Sequence, residues 1–148
     1  MLSLIRRFLG APEEDAPPPS EHDARIAACA LFVELARADG EFSDDETRAI
    51  LGMLSSEYGL SPADADALLQ EARAEASRSI DLWRFTRRIN EFYSTDEKLD
   101  IAEMLWRVVY ADGKLDDHEH YLMGKLTNLL NLEHARVMER KLRARNAG

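Results

Sequence analysis

From Ser20 onward, apolar side chains recur at intervals of three and four, and short polar segments opening on Ser or Asp interrupt them. This is the pattern of successive amphipathic helices, and it predicts seven. The first spans about 21–38, with Ile26, Ala27, Ala30, Leu31 and Leu35 inward. The second follows Ser43, which stands at capping-box spacing from Glu46; it buries Ile50, Met53 and Leu54 and ends near Gly59. Ser61 and Pro62 open the third, with proline at the first helical position, and Ala65, Leu68, Leu69 and Ala72 face in. The fourth, about 81–93, aligns Leu82, Phe85, Ile89 and Phe92 on one face. Ser94 and Glu97 repeat the capping-box spacing before a fifth helix carrying Leu99, Ala102, Leu105, Trp106 and Val109. The sixth follows Asp116, with Glu119 at the box position and Leu122, Leu126, Leu129 and Leu130 inward. The seventh, from about 133, sets Val137, Met138 and Leu142 against the core. Trp83, Trp106 and the methionines read as core residues, and no segment alternates as a strand does. The expected fold is all-α, a compact bundle.

Before Ser20 the pattern changes. Residues 2–9 are a short amphipathic stretch, with Leu2, Leu4, Ile5, Phe8 and Leu9 apolar and Arg6 with Arg7 opposite. Then Gly10-Ala-Pro-Glu-Glu-Asp-Ala-Pro-Pro-Pro-Ser20 combines acids with a proline run, which favours an extended linker. Residues 1–21 are therefore separate from a helical domain over 22–146. The amphipathic piece either tucks against that domain or makes weak peripheral contact with a membrane or a partner.

An internal repeat stands out. Ala38-Asp-Gly-Glu-Phe-Ser-Asp-Asp-Glu46 recurs as Ala111-Asp-Gly-Lys-Leu-Asp-Asp-His-Glu119, 73 positions later. The flanks match as well, Leu31, Phe32, Val33 and Leu35 standing over Met104, Leu105, Trp106 and Val108. The repeat reads as helix, tight loop and helix, and two such units are expected to pack with a pseudo-two-fold relation. Mechanically, Gly40 and Gly113 end one helix, Phe42 and Leu115 plug the turn, and Ser43 or Asp116 caps the next. Chemically, Asp-Gly-x-apolar-Ser/Asp-x-x-Glu resembles the second half of a calcium loop. The first half fails, since the first and third ligand positions hold Leu35 and Arg37 in one copy, Val108 and Tyr110 in the other. What remains is Asp39, Asp44, Asp45 and Glu46 with Asp112, Asp116, Asp117 and Glu119, hard oxygen donors suited to Ca2+ or Mg2+ shared between the repeats.

Charge sharpens this reading. The 148 residues carry 28 acids against 19 Lys plus Arg, a net −9, so affinity for nucleic-acid phosphates is not expected. Clustered carboxylates either stay well solvated or are relieved by a bound cation or by a basic partner surface. A single cysteine, Cys29, excludes an intrachain disulfide and a cysteine-based zinc site. No apolar run approaches the roughly 20 residues of a spanning helix, the N-terminus lacks a signal-peptide core, and a cytoplasmic location is expected. His22, His118, His120 and His134 make a poor zinc set, because His118 and His120 point to different sides of a helix.

The two Ala-Asp-Gly loops with their trailing glutamates, and the run Asp96-Glu-Lys-Leu-Asp-Ile-Ala-Glu-Met-Leu-Trp-Arg-Val-Val-Tyr-Ala-Asp-Gly113, resemble the TerB-like, tellurite-resistance-associated family. They are similar also to the N-terminal domain of the membrane-anchored DnaJ-type co-chaperone. The resemblance covers roughly 22–143. It implies an all-helical, cytoplasmic, non-enzymatic protein whose acidic surface takes divalent cations, acting beside membrane-bound TerC-like and calcium-binding TerD-like proteins in metal-ion stress. By position it assigns the metal to Asp39, Glu46, Asp112 and Glu119, with Asp44, Asp116 and Asp117 as neighbours. The alternatives are a co-chaperone-type adaptor without metal and, less favoured, a small metal-dependent hydrolase.

Overall fold

The computed structural model describes residues 20–37, 43–78, 81–111 and 117–147. Within them lie seven helices and no strand: α1 (Glu21–Ala36), α2 (Asp44–Tyr58), α3 (Pro62–Arg78), α4 (Trp83–Phe92), α5 (Thr95–Tyr110), α6 (Asp117–Leu129) and α7 (His134–Ala147). Every predicted helix is present. The order extends the repeat: α1, α2 and α3 are followed after α4 by α5, α6 and α7, and the first helices of the two units, α1 and α5, pack on one another.

α1 is the axis of the bundle. The sequence pattern gave it one inward face, yet Ala24, Ile26 to Val33, Leu35 and Ala36 are all buried. A helix apolar on every side must be surrounded, and α3, α4 and α5 pack against it. The alanines of α1 meet a second small-residue face on α3, where Ala65, Ala72 and Ala76 are buried beside Leu68 and Leu69. Small side chains on both helices permit close approach.

Local chemistry fixes the helix ends. Ser20, Ser43 and Ser94 each accept a hydrogen bond from the backbone N–H three residues on, and the carboxylates of Asp23, Glu46 and Glu97 accept one from the cap N–H. α2 stops at Gly59, which takes the left-handed conformation (φ 63°), with Leu60 N–H donating to the Ser55 carbonyl at 3.2 Å. α6 ends similarly at Asn131 (φ 56°), where Leu132 N–H donates to Thr127 O at 3.1 Å. The carbonyls left over there receive a buried cation. Lys98 Nζ donates to Leu130 O at 2.8 Å and to Asn90 Oδ1 at 3.1 Å, while Asn90 Nδ2 donates to Leu129 O at 2.9 Å. A positive charge suits a helix C-terminus, and this network ties α4, α5 and α6 together.

α7 lies along α5 in parallel, zipped by ion pairs one turn apart. Arg136 meets Asp96 at 3.3 Å, Arg140 meets Asp100 at 2.6 Å and Glu103 at 3.4 Å, and Arg143 reaches Glu103 at 3.7 Å. The Arg140 guanidinium is mostly shielded, and its hydrogen bond to Asp100 raises its pKa further.

Four apolar assignments are corrected. Trp83 is 55% exposed at the first turn of α4, beneath the Arg87 guanidinium, and Phe92 is 39% exposed at the last turn. Leu142 is 49% exposed and Ala144 is the buried residue of that turn; Leu129 is only partly buried. Phe92, Leu129 and Leu142 lie on the predicted stripes, whereas Trp83 stands beside the stripe of Leu82, Phe85 and Ile89.

The core sets a pH limit. Burial pushes the Cys29 thiol from 9.0 up to about 12, and pushes the Tyr58 and Tyr93 phenols up as well. A raised folded-state pKa gives stability that is present below the unfolded value and lost as pH climbs through the folded one. Burial lowers the Lys98 pKa and so acts in the opposite sense. We expect the urea midpoint to fall from pH 9 upward. In Cys29→Ala the slope should be shallower, the thiol's full span being worth about 4 kcal/mol at about 1.36 kcal/mol per pH unit. Equal slopes would show that Cys29 ionises without unfolding.

Candidate functional site

The two units place their acidic segments at one end of the bundle. Arg25, near the start of α1, lies over the ring of Tyr58 at the end of α2, 4.6 Å from its centre, so α1 and α2 are antiparallel. α2 in turn runs back along α5. Its early residues Arg48 and Ala49 share a hollow of about 530 Å3 with Tyr110 and Ala111 at the end of α5. Its last residues Glu57 and Tyr58 share another with Glu97 and Ile101 near the start of α5. α1 and α5 are therefore parallel, and the chain leaves both at the same end.

At that end stand the first turns of α2 and α6. Glu46 and Glu119, equivalent in the repeat, are both buried, exposing 1% and 2% of their surface. Glu46 Oε1 accepts from Ser43 N–H at 3.2 Å, and Glu46 N–H donates to Ser43 Oγ at 3.1 Å. Thr47 Oγ1 adds a bond to Ser43 O at 3.0 Å. Asp44 and Asp117, the first residues of α2 and α6, are exposed, where the helix dipole favours negative charge. Asp39, Asp112 and Asp116 lie outside the described residues, as do the turn residues Gly40, Gly113, Phe42 and Leu115.

Cations absent from the sequence-based site share this end. Arg48 pairs with Asp45 at 3.1 Å and donates through Nε to Asp44 O at 3.4 Å. Arg107 pairs with Glu103 at 3.1 Å. Both arginines line the larger hollow, whose floor holds Ala49, Gly52 and Ala111. The i, i+3 spacing of Asp45 and Arg48 carried the local part of this signal; the approach of Arg107 from α5 had none. Beside the first turn of α6, the buried Trp106 stacks on Tyr110 with centroids 6.0 Å apart, lies 4.7 Å from Lys141 Nζ, and faces His120 at 6.5 Å. His118, His120 and His134 are exposed, and His22 is occupied with Glu71 at 3.2 Å.

Among the described residues no group of three or more His, Cys, Asp or Glu stands together as a metal cage. Glu46 and Glu119 have the donor type that Ca2+ or Mg2+ takes; further ligands would have to come from outside the described residues. Three hollows, of about 530, 420 and 300 Å3, are lined by none of Asp44, Glu46, Asp117 or Glu119. No helix among the described residues is long and apolar enough to cross a membrane.

The cap geometry predicts its own energetics. Ser43→Ala removes the acceptor for Glu46 N–H and should cost about 1 kcal/mol in urea unfolding. A loss below about 0.3 kcal/mol would mean that the α2 start is held by tertiary packing alone.

The family described as tellurite resistance protein TerB matches residues 25–142, a span that includes both acidic segments and all or part of every helix. No curated protein and no solved structure matches the chain.

Proposed function

Because the chain belongs to the TerB family of tellurite resistance proteins, we propose that it is a non-catalytic helical module that takes up a divalent cation, Ca2+ or Mg2+, between its two acidic segments. One observation carries this reading: two carboxylates at matched positions, Glu46 and Glu119, are withdrawn from water at the end where α1 and α5 both finish. Both glutamates already have partners within the chain, and a cation taken up beside them adds to those in offsetting the hydration lost on burial. Asp39, Asp112 and Asp116 supply the remaining oxygens in this proposal, with Asp44 and Asp117 as outer charges. Binding joins the first turns of α2 and α6 and stiffens the two helix pairs, so occupancy is reported as stability.

A basic protein surface is the second occupant, favoured by the exposure of Asp44 and Asp117 at the same end and by the net charge of −9. TerC-like or TerD-like proteins, or the client of a co-chaperone-type adaptor, fit that role. A cytoplasmic place in metal-ion or tellurite stress completes the proposal.

Thermal unfolding of metal-stripped protein with Ca2+, Mg2+ or Mn2+ tests it, because a ligand selective for the folded state stabilises by about 2.7 kcal/mol at 100 times its dissociation constant. The unfolding midpoint should rise with concentration in the wild type and stay flat in Glu46→Gln/Glu119→Gln, with helical content unchanged. No rise with any of the three ions, or the same rise in the variant, would remove the cation and leave the basic partner.

A further inference from the structure

The hollow of about 530 Å3 lies where α2, α5 and α7 meet, a size within the roughly 300–1,000 Å3 of small-ligand sites. Its surface is mostly apolar, because Ala49, Met53, Ala111 and Ala144 line it. Gly52 leaves the middle of α2 bare on this side: a Cβ there would meet no atom within 4 Å among the described residues. Two guanidiniums stand beside this apolar ground, Arg48 from α2 and Arg107 from α5. Although the chain is acidic, Arg107 belongs to a cluster with surplus positive charge. Glu103 is shared by Arg107 at 3.1 Å, Arg140 at 3.4 Å and Arg143 at 3.7 Å. Asp100 joins through Arg140, which leaves three guanidiniums against two carboxylates. Arg107 Nε is shielded from water and has no hydrogen-bond partner among the described residues.

We propose that this hollow binds a free alkyl carboxylate, its head against the two arginines and its aliphatic stem over Gly52 and the alanines. Both arginines are available to such a ligand. The Arg48–Asp45 pair is exposed at both partners and so worth little, and a ligand carboxylate can take the place of Asp45. When Arg107 turns to the ligand, Glu103 keeps Arg140 and Arg143, so no shielded acid is left unpaired. A guanidinium presents parallel N–H donors that match a carboxylate. The stem matters as much, because the alanines and Met53 offer no side-chain hydrogen bond and reward only the apolar area covered. Along α2 the lining runs from Arg48 to Ser56, about 12 Å at about 1.5 Å per residue, room for a medium-chain stem. Acids elsewhere on the protein weigh little on the bound anion, the Debye length being about 8 Å at physiological salt. Neither Glu46 nor Glu119 lines the hollow, so this ligand is separate from a cation held by those residues.

Octanoate titrated into the isotope-labelled full chain tests this by amide NMR, with octanol and acetate as probes that lack the head or the stem. Octanoate should give saturable, one-site shifts at residues 48–56, at 107–111 and at Ala144. Octanol and acetate should each bind at least about tenfold more weakly, the loss expected for one charge-assisted hydrogen bond or a few methylenes. Arg48→Gln/Arg107→Gln should weaken octanoate by about tenfold and leave octanol unchanged. Gly52→Leu keeps both arginines and adds a side chain into open space, so it should abolish the shifts with helical content intact. Shifts scattered over the surface, absence of saturation, equal affinity for octanol, or undiminished octanoate binding in either variant would overturn the proposal.

Discussion

Everything in this fold answers to a helix buried on nearly every side. From Ala24 to Ala36, α1 buries every residue except Arg25 and Glu34, which are partly exposed, and its backbone hydrogen bonds let it enter the interior where a loop could not. Three other helices then have to wrap it. α3 does so through alanines, α4 through Phe85 and Ile89, and α5 through the apolar run from Leu99 to Val109. α2 packs on α3 and α5, and α6 on α4 and α5. Because α1 and α5 are parallel in that packing, the two acidic segments that follow them emerge together.

Features carried by neighbours in sequence were legible without the structure. Ser43 with Glu46, Ser94 with Glu97, and Gly59 at the end of α2 are determined within one helical turn, so spacing alone predicts them. The core position of Trp106 follows from its stripe. Periodicity tells which residues share a face but not how far their neighbours cover it, so Phe92 and Leu142 lie on apolar stripes and yet stand exposed, as does Trp83. Lys98 could not be anticipated, because its acceptor on Leu130 lies 32 residues away and exists only once α6 has ended against α5. The near-total burial of Glu46 and Glu119 was likewise hidden. A capping glutamate is ordinarily a surface residue, as Glu97 is at the start of α5.

Charge is distributed by the same packing. Arginines on α7 take up Asp96, Asp100 and Glu103 along α5, so much of that helix's acidity is spent internally. Among the acids outside that zipper, Asp44, Asp45 and Asp117 are exposed at the first turns of α2 and α6 beside the buried Glu46 and Glu119.

The central claim is that the two acidic segments act as one site, and Mn2+ relaxation enhancement read by amide NMR tests it most directly. Substoichiometric Mn2+ should broaden residues 43–47 and 117–121 in parallel, and Glu46→Gln alone should protect both. Broadening of only one segment, or a diffuse loss across all the exposed acids, would contradict it.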